Sequence, residues 1–220
     1  MGTGIRAVIF DLDGTLLNTL EDIAASMNAA LAANGFQTHP ADAYRLLIGR
    51  GMMNLARAAL PEDAREPAVV QKAAAAMRRE YEKRWADKTR PYDGIPELLE
   101  KLCGAGIKTA VLSNKPDDFT RKCVGKFFPQ YRFDAVLGEQ PWIPKKPDPA
   151  AAFEIARQLG FSPAFFACLG DSDIDMQTAA AAGMLPLGAL WGFRSAEELN
   201  EHGAQRLLDT PLDLIKLIAV

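Results

Sequence analysis

The stretch Ala7-Val8-Ile9-Phe10-Asp11-Leu12-Asp13-Gly14-Thr15 decides the fold of this chain. Its first four residues are a short, continuous apolar run, which predicts a buried parallel strand. Two acidic residues and a glycine follow directly, and this composition is typical of a turn. The chain therefore opens with a buried strand that ends in carboxylates.

Other apolar runs end at polar residues or glycine in the same way, and helical patterns with clear boundaries lie between them. The strand-like runs are Thr109 to Leu112 before Ser113-Asn114, Ala135 to Leu137 before Gly138, Ala167 to Leu169 before Gly170-Asp171, and Leu185 to Leu190. The helical patterns are Pro96 to Leu102, Pro149 to Leu159 and Asp173 to Ala182. This alternation predicts an α/β fold with a doubly wound parallel sheet.

The interval between the first two strands is too long for a single strand-helix-strand unit of about 30 residues. It carries helical patterns, from Thr19 to Asn34, Ala41 to Ile48, Met52 to Ala59 and Pro67 to Trp85. We expect a smaller all-helical cap domain over residues 18–86, inserted after the first strand. Residues 1–17 and 87–220 then form the core domain with the sheet.

Composition excludes some classes of function. The chain has 220 residues, a net charge of −3 and a pI near 5.5. A nucleic-acid binder needs a basic face to displace the counterions of the phosphates, so no nucleic-acid partner is expected. No window approaches the ~20 apolar residues of a membrane span, and no targeting pattern opens the chain. We expect a cytoplasmic protein without a membrane partner.

The polar residues that follow the strands should form one site. In a doubly wound sheet, ligands bind beyond the carboxyl ends of the strands. Taken singly, these short motifs are also typical of turns and helix caps. The residues expected to converge are Asp11, Asp13, Ser113, Asn114 and Asp171.

Four motifs in order resemble those of the haloacid dehalogenase-like superfamily, in its phosphoglycolate phosphatase-like branch with a helical cap. The resemblance spans nearly the whole chain. The motifs are Asp11-Leu12-Asp13-Gly14-Thr15, Ser113-Asn114-Lys115, Lys146-Pro147 and Gly170-Asp171-Ser172-Asp173-Ile174-Asp175.

The resemblance implies hydrolysis of a small phosphomonoester through a phosphorylated aspartate. Asp11 matches the nucleophile, which divides hydrolysis into phosphoryl transfer to the enzyme and attack by water. Asp13 matches the general acid and base, which protonates the leaving alkoxide and later takes a proton from water.

A magnesium ion is implied as the cofactor, because a hard dication suits oxygen ligands and relieves repulsion between the nucleophile and the phosphate. The expected ligands are the carboxylates of Asp11 and Asp171 and the backbone carbonyl of Asp13. Asp175 matches the residue that orients the coordination shell.

The remaining motif residues match groups that handle the phosphate. Ser113 and its neighbour Asn114 are expected to bind it through the hydroxyl and nearby backbone amides, and Lys146 to neutralise a phosphoryl oxygen while steadying Asp11. Lys146 is preferred over Lys145 because it directly precedes proline. Lys115 has no firm family role and is expected to be a surface residue.

In the helical insertion, Gly49-Arg50-Gly51 places a cation between two glycines. It resembles the loop that selects the substrate in phosphoglycolate phosphatase-like members, and Arg50 would bind the far end of the substrate. An ordinary turn between helices is the alternative.

Two other functions remain open. A sugar phosphomutase resembling β-phosphoglucomutase is the nearest alternative, although those members commonly carry Glu-Asp-Ser where this chain has Gly170-Asp171-Ser172. A scaffold that kept the fold but lost turnover is the non-enzyme alternative. Dehalogenation fits poorly, because the dehalogenase branch lacks the second aspartate that Asp13 supplies.

Overall fold

Strands and helices alternate along almost the whole chain. The structure, a computed structural model, describes residues 4–218. The strands are β1 (Ala7–Phe10), β2 (Leu17–Asn18), β3 (Arg90–Pro91), β4 (Lys108–Pro116), β5 (Ala135–Glu139), β6 (Phe166–Gly170), β7 (Leu185–Ala189) and β8 (Arg206–Leu208). The α-helices are α1 (Leu20–Ala33), α2 (Met52–Ala59), α3 (Pro67–Arg84), α4 (Ile95–Gly104), α5 (Asp117–Phe127), α6 (Ala150–Leu159), α7 (Asp173–Ala182), α8 (Ala196–Glu201) and α9 (Asp213–Ile218). Short 3-10 helices cover Ala41–Leu46, Glu62–Ala64 and Pro163–Phe165.

The longer strands form a parallel sheet in the order β5-β4-β1-β6-β7-β8. From β1 the chain first builds β4 and β5 on one side, and it then returns to build β6, β7 and β8 on the other. The strand order therefore reverses beside β1, and ligands of α/β sheets bind at the carboxyl ends next to such a reversal. The predicted doubly wound parallel sheet is confirmed.

The centre of the sheet is apolar, and helices pack against it. All four residues of β1 are buried. On one face, Ile9 and Leu112 belong to a buried cluster with Ile155 of α6 and Ala179 of α7. Burial on both sides explains why these strands are continuous apolar runs rather than alternating ones.

The chain divides into two compact units. One contains residues 4–17 and 91–218 with the large sheet, and the other is Asn18–Arg90. In the second unit, α1 and α2 each pack against α3. Met27 and Leu31 of α1 and Met77 and Tyr81 of α3 are buried there.

The second boundary of the helical unit lies at Arg90, four residues beyond the boundary expected from the sequence. The reason is a buried carboxylate on α1. Asp22 accepts hydrogen bonds from the backbone N–H of Lys88 at 3.0 Å and from both the N–H and the hydroxyl of Thr89 at 2.8 and 2.7 Å. These bonds attach residues 88–89 to α1.

Some elements differ from the sequence-based expectation. The pattern over Ala41 to Ile48 gives a 3-10 helix, and α5 and β8 were not expected at all. β8 has three residues at the edge of the sheet, which is too short a run to show a period. Across residues 4–218, no helix combines the length and apolar character that crossing a membrane requires.

Candidate active site

The candidate active site lies at the carboxyl ends of β1, β4 and β6. Asp11 follows β1 directly, and Ser113 lies near the end of β4. Asp171 follows β6, and Asp175 lies one turn into α7. The carboxylates of Asp11, Asp171 and Asp175 offer oxygen atoms that all lie within 4.8 Å of one another. The sheet thus brings together residues that are up to 164 positions apart, as the Asp11–Asp175 pair illustrates.

Lys146 lies inside this acidic cluster. Its ammonium is 3.0 Å from Asp11 Oδ1 and 2.6 Å from Asp175 Oδ1, and it donates a hydrogen bond to the carbonyl of Leu112 at 3.0 Å. Burial alone would lower the pKa of Lys146, but the carboxylates of Asp11 and Asp175 outweigh that effect and raise it. Lys146 is therefore a fixed positive charge. Its neighbour Lys145 instead pairs with Glu139, at 3.1 Å.

Asp11 is held on one side of its carboxylate. Its Oδ1 accepts a hydrogen bond from the backbone N–H of Leu12 at 2.7 Å and also contacts Lys146. Burial raises the pKa of Asp11 well above its ordinary value, and Lys146 opposes this rise while Asp175 and Asp13 add to it. The surroundings of Asp11 in the protein therefore disfavour its ionised form.

Asp171 is fixed by two contacts from other parts of the sheet domain. Its Oδ1 accepts a hydrogen bond from the Thr15 hydroxyl at 2.9 Å, and its Oδ2 accepts one from the backbone N–H of Phe193 at 2.8 Å. Burial raises the pKa of Asp171 to about 8, and Asp11 and Asp175 add to the rise.

Two glycines make room for Asp171. A Cβ atom at Gly14 or at Gly192 would overlap the Asp171 side chain. Gly14 also has a φ of +89°, which side-chain-bearing residues rarely adopt. Gly14 of the first motif and Gly192 of the loop after β7 therefore both leave the space that the Asp171 carboxylate occupies.

Asp175 joins the cluster to the start of α7. Its Oδ2 accepts hydrogen bonds from the N–H and hydroxyl of Ser172, at 3.1 and 2.6 Å, in a capping box. Its Oδ1 contacts Lys146. Asp175 therefore connects the helix cap with the buried lysine.

Asp13 and Lys115 form a second, largely buried ion pair at the site. The Lys115 ammonium is 2.8 Å from Asp13 Oδ1 and 3.0 Å from Oδ2. The expectation that Lys115 is a surface residue is wrong, because its side chain is only 4% exposed. The partner lies on another strand end, and nothing in the local sequence around Lys115 indicates it.

The two polar residues before Lys115 differ in their contacts. Ser113 is buried and its hydroxyl accepts a hydrogen bond from the Lys115 N–H at 3.3 Å. The Asn114 amide binds the backbone of Lys146 in both directions, donating to its carbonyl and accepting from its N–H, each at 3.0 Å. The Asn114 side chain thus positions Lys146, and phosphate binding by Ser113 and Asn114 remains a prediction.

Arg50 lies in the helical unit, on an exposed turn before α2. Gly49 and Gly51, on either side, have φ angles of +122° and +85°, so the turn uses the conformational freedom of both glycines. The Arg50 carbonyl accepts a hydrogen bond from the Asn54 amide at 2.8 Å. A role for Arg50 in substrate binding remains a prediction.

The acidic cluster has the chemistry of a site for a hard dication. Its donors are carboxylate oxygens, the ligands that Mg²⁺ prefers. The site contains four carboxylates, from Asp11, Asp13, Asp171 and Asp175, and two ammonium groups, from Lys115 and Lys146. Fully ionised, these groups leave two negative charges unbalanced. Burial, with an added contribution from the neighbouring carboxylates, raises the pKa values of Asp11 and Asp171.

Sequence reasoning missed three contributors to this site. The Thr15 hydroxyl and the Phe193 N–H hold Asp171, and Lys115 holds Asp13. Thr15 lies within the first motif, so its place there was the one available signal. A backbone N–H such as that of Phe193 carries no signal in the sequence.

The fold and this site define a hydrolase of the haloacid dehalogenase-like type, and comparison with known proteins places the chain in that family. The family of haloacid dehalogenase-like hydrolases matches residues 8–189. The chain belongs to it, and the predicted family is confirmed.

Within the family, the chain is similar to phosphoglycolate phosphatases. It is 32% identical over 214 residues to the phosphoglycolate phosphatase of Aquifex aeolicus (strain VF5), covering 97% of both chains. It is 33% identical over 193 residues to that of Xylella fastidiosa (strain Temecula1 / ATCC 700964), covering 88% of this chain and 83% of the relative. The protein is thus an enzyme of the phosphoglycolate phosphatase-like branch.

A crystal structure shows the same similarity in three dimensions. It is that of a predicted phosphoglycolate phosphatase from Haemophilus somnus 129PT, with a TM-score of 0.90 and 26% identity. The match covers 97% of this chain and 98% of the other. The similarity therefore extends over the helical unit as well as the sheet.

Proposed function

We propose that this protein is a Mg²⁺-dependent phosphatase that hydrolyses a small phosphomonoester such as 2-phosphoglycolate through an aspartyl phosphate on Asp11. The observation that carries the proposal is the placement of Asp11. It lies at the reversal of the strand order, with one carboxylate oxygen held by Leu12 N and Lys146 and with two further carboxylates close by.

In the first half-reaction, a carboxylate oxygen of Asp11 attacks the phosphorus atom. We assign the attack to Oδ2, since Oδ1 is engaged by Leu12 and Lys146. The bond between phosphorus and the ester oxygen breaks, and Asp13, which starts the cycle protonated because it took a proton from water in the previous turnover, gives that proton to the departing alkoxide. Lys146 stays charged beside Asp11 and can stabilise negative charge that develops on a phosphoryl oxygen.

In the second half-reaction, water attacks the phosphorus of the aspartyl phosphate. Asp13, now a carboxylate, takes a proton from that water. The bond between phosphorus and Asp11 breaks, so inorganic phosphate leaves and the Asp11 carboxylate is restored. Ser113, at the end of β4, is the residue we assign to hold a phosphoryl oxygen through both steps.

Asp11, Asp171 and the backbone carbonyl of Asp13 would hold the Mg²⁺, with Asp175 and Thr15 orienting this set. When bound, Mg²⁺ would neutralise negative charge on the nucleophile and the phosphate. Gly14, Gly192 and Phe193 keep Asp171 in place for that role.

The substrate class is supported by the relatives and by Arg50. The curated relatives are named phosphoglycolate phosphatases. Arg50 is an exposed residue of the helical unit, and a guanidinium can bind a carboxylate with two charge-assisted hydrogen bonds. A substrate with a carboxylate at its far end would use that pairing.

Phosphate release from a panel of phosphomonoesters tests the proposal. With Mg²⁺, 2-phosphoglycolate should have the highest kcat/KM, and removal of the metal with EDTA should abolish turnover. Arg50→Ala should lower kcat/KM for 2-phosphoglycolate at least about tenfold, but change that for p-nitrophenyl phosphate much less. The matched control is Arg57→Ala on the exposed face of α2.

Several results would contradict parts of the proposal. Turnover of glucose 1-phosphate to glucose 6-phosphate in preference to phosphate release would identify a mutase. A parallel loss for both substrates in Arg50→Ala would show that Arg50 does not read the carboxylate. Absence of turnover on the whole panel with Mg²⁺ would favour a non-catalytic protein.

A further inference from the structure

The ion pair with Lys115 constrains both the orientation and the position of the Asp13 carboxylate. The ammonium contacts both carboxylate oxygens, at 2.8 and 3.0 Å. The side chains are 4% and 12% exposed, so water competes little for either partner. A contact to both oxygens restricts rotation of the Asp13 carboxylate, which a contact to one oxygen would allow.

Lys115 itself is anchored through its backbone. Its N–H donates to the Ser113 hydroxyl at 3.3 Å, and its carbonyl accepts from the Thr120 hydroxyl at 3.1 Å. Gly138 of β5 packs so closely that a Cβ atom there would lie 2.7 Å from the Lys115 carbonyl oxygen. The ammonium is thus presented from a strand end that has little freedom to move.

The carboxylate of Asp13 that remains after proton donation needs such a partner, because its surroundings are acidic. Asp11 is two residues away, and Asp171 and Asp175 lie beside Asp11. Like charges at short range repel, and a carboxylate without a counterion would turn toward water. A misplacement of about 1 Å can cost on the order of 10²-fold in rate when a group must reach a reacting atom.

We propose that Lys115 is a positioning residue that holds the Asp13 carboxyl group in line for proton transfer. This inference rests on the proposed function, in which Asp13 gives a proton to the leaving alkoxide and then takes one from water. Lys115 acts through Asp13 and contributes no proton. The same charge also keeps Asp13 beside β4.

The dependence on the leaving group separates this role from a structural one. An alkoxide leaves poorly without a proton, whereas p-nitrophenolate is a stable anion that needs almost none. The parameter kcat/KM covers the steps up to departure of the leaving group, so it reports the first proton transfer. Lys115→Met should therefore lower kcat/KM at least about tenfold for 2-phosphoglycolate and less than about threefold for p-nitrophenyl phosphate.

Three further variants sharpen the experiment. In the Asp13→Asn background, Lys115→Met should change kcat/KM less than about threefold, since the group that Lys115 positions has been removed. Lys115→Arg keeps the charge and should recover part of the activity on 2-phosphoglycolate. Lys108→Met is the control, because Lys108 also pairs with an aspartate, Asp134 at 2.8 Å, but lies half exposed at the start of β4.

Lys115→Gln replaces Lys115→Met if the latter does not give folded protein by circular dichroism. Equal losses on the two substrates, no loss on either, or an additive loss in the Asp13→Asn background would each overturn the inference. These outcomes are distinct from failure of the proposed function, in which wild-type protein itself releases no phosphate from 2-phosphoglycolate. In that case the comparison is made with whichever alkyl phosphate of the panel the wild-type protein hydrolyses.

Discussion

At the scale of single residues, Asp11 combines burial with negative charge. A buried carboxylate is costly unless a counterion or hydrogen bonds compensate it. Here Lys146 and the Leu12 N–H supply part of that compensation. In the proposed mechanism, the remaining cost would favour attack by Asp11 on the phosphorus atom.

Asp11→Asn should abolish turnover while the protein stays folded. The amide has nearly the same volume but is not a nucleophile, so we expect kcat to fall at least about a thousandfold. Phosphate release measures this, and intact mass after acid quenching should show a phosphoryl adduct on the wild-type protein alone. Asp209→Asn, at an exposed position, is the control. Activity above a few per cent of wild type would rule out the covalent mechanism.

At the scale of secondary-structure elements, the end of β4 is bound to the loop that precedes α6. Asn114 makes this connection with two hydrogen bonds to the backbone of Lys146. Each satisfies a buried backbone group that would otherwise lack a partner. The position of the Lys146 ammonium therefore depends on Asn114 of β4, which lies 32 residues earlier in the chain.

Asn114→Ala should lower both stability and activity. Leaving the Lys146 N–H and carbonyl without these bonds should reduce the free energy of unfolding by roughly 1–3 kcal/mol. The loop should then hold Lys146 less firmly, so kcat should fall as well. Urea denaturation and phosphate release measure the two effects, with Asn200→Ala on the exposed side of α8 as the control. An unchanged unfolding free energy would contradict the positioning contact.

At the scale of the whole molecule, ionisation of the acidic cluster opposes folding. The pKa of Asp171 is raised to about 8 from an ordinary value of 3.8. Between these values the folded protein holds a proton that the unfolded chain releases. The contribution of Asp171 to the free energy of unfolding is therefore fully present below its ordinary pKa, and it is lost as pH rises through the raised pKa.

Mg²⁺ should consequently stabilise the protein more at high pH than at low pH. The metal favours the ionised carboxylates, and protons compete with it below the raised pKa. We expect the increase in Tm on adding Mg²⁺ to be larger at about pH 8 than at about pH 5.5. Thermal unfolding with MgCl₂ or EDTA measures it, and Asp171→Asn should lose most of the increase. Equal increases at the two pH values would argue against binding by this cluster.

The sequence alone predicted the sheet class and the residues at its carboxyl edge. Asp11 and Asp171 each follow a continuous apolar run, and such runs report buried strands through local composition. Because carboxyl ends of parallel strands share one edge, the meeting of these residues could be expected without knowing the order of the strands. Local period and length likewise predicted a helical insertion after the first strand.

Tertiary structure decided which side chains contact one another. Lys115 and Asp13 are 102 residues apart, and Thr15 and Asp171 are 156 apart. These contacts depend on strand order and on the path of each loop, and neither leaves a local pattern. The same holds for the boundary at Arg90, where Asp22 binds Lys88 and Thr89. Local periodicity is set by neighbours along the chain, whereas an ion pair or a buried hydrogen bond is set by neighbours in space.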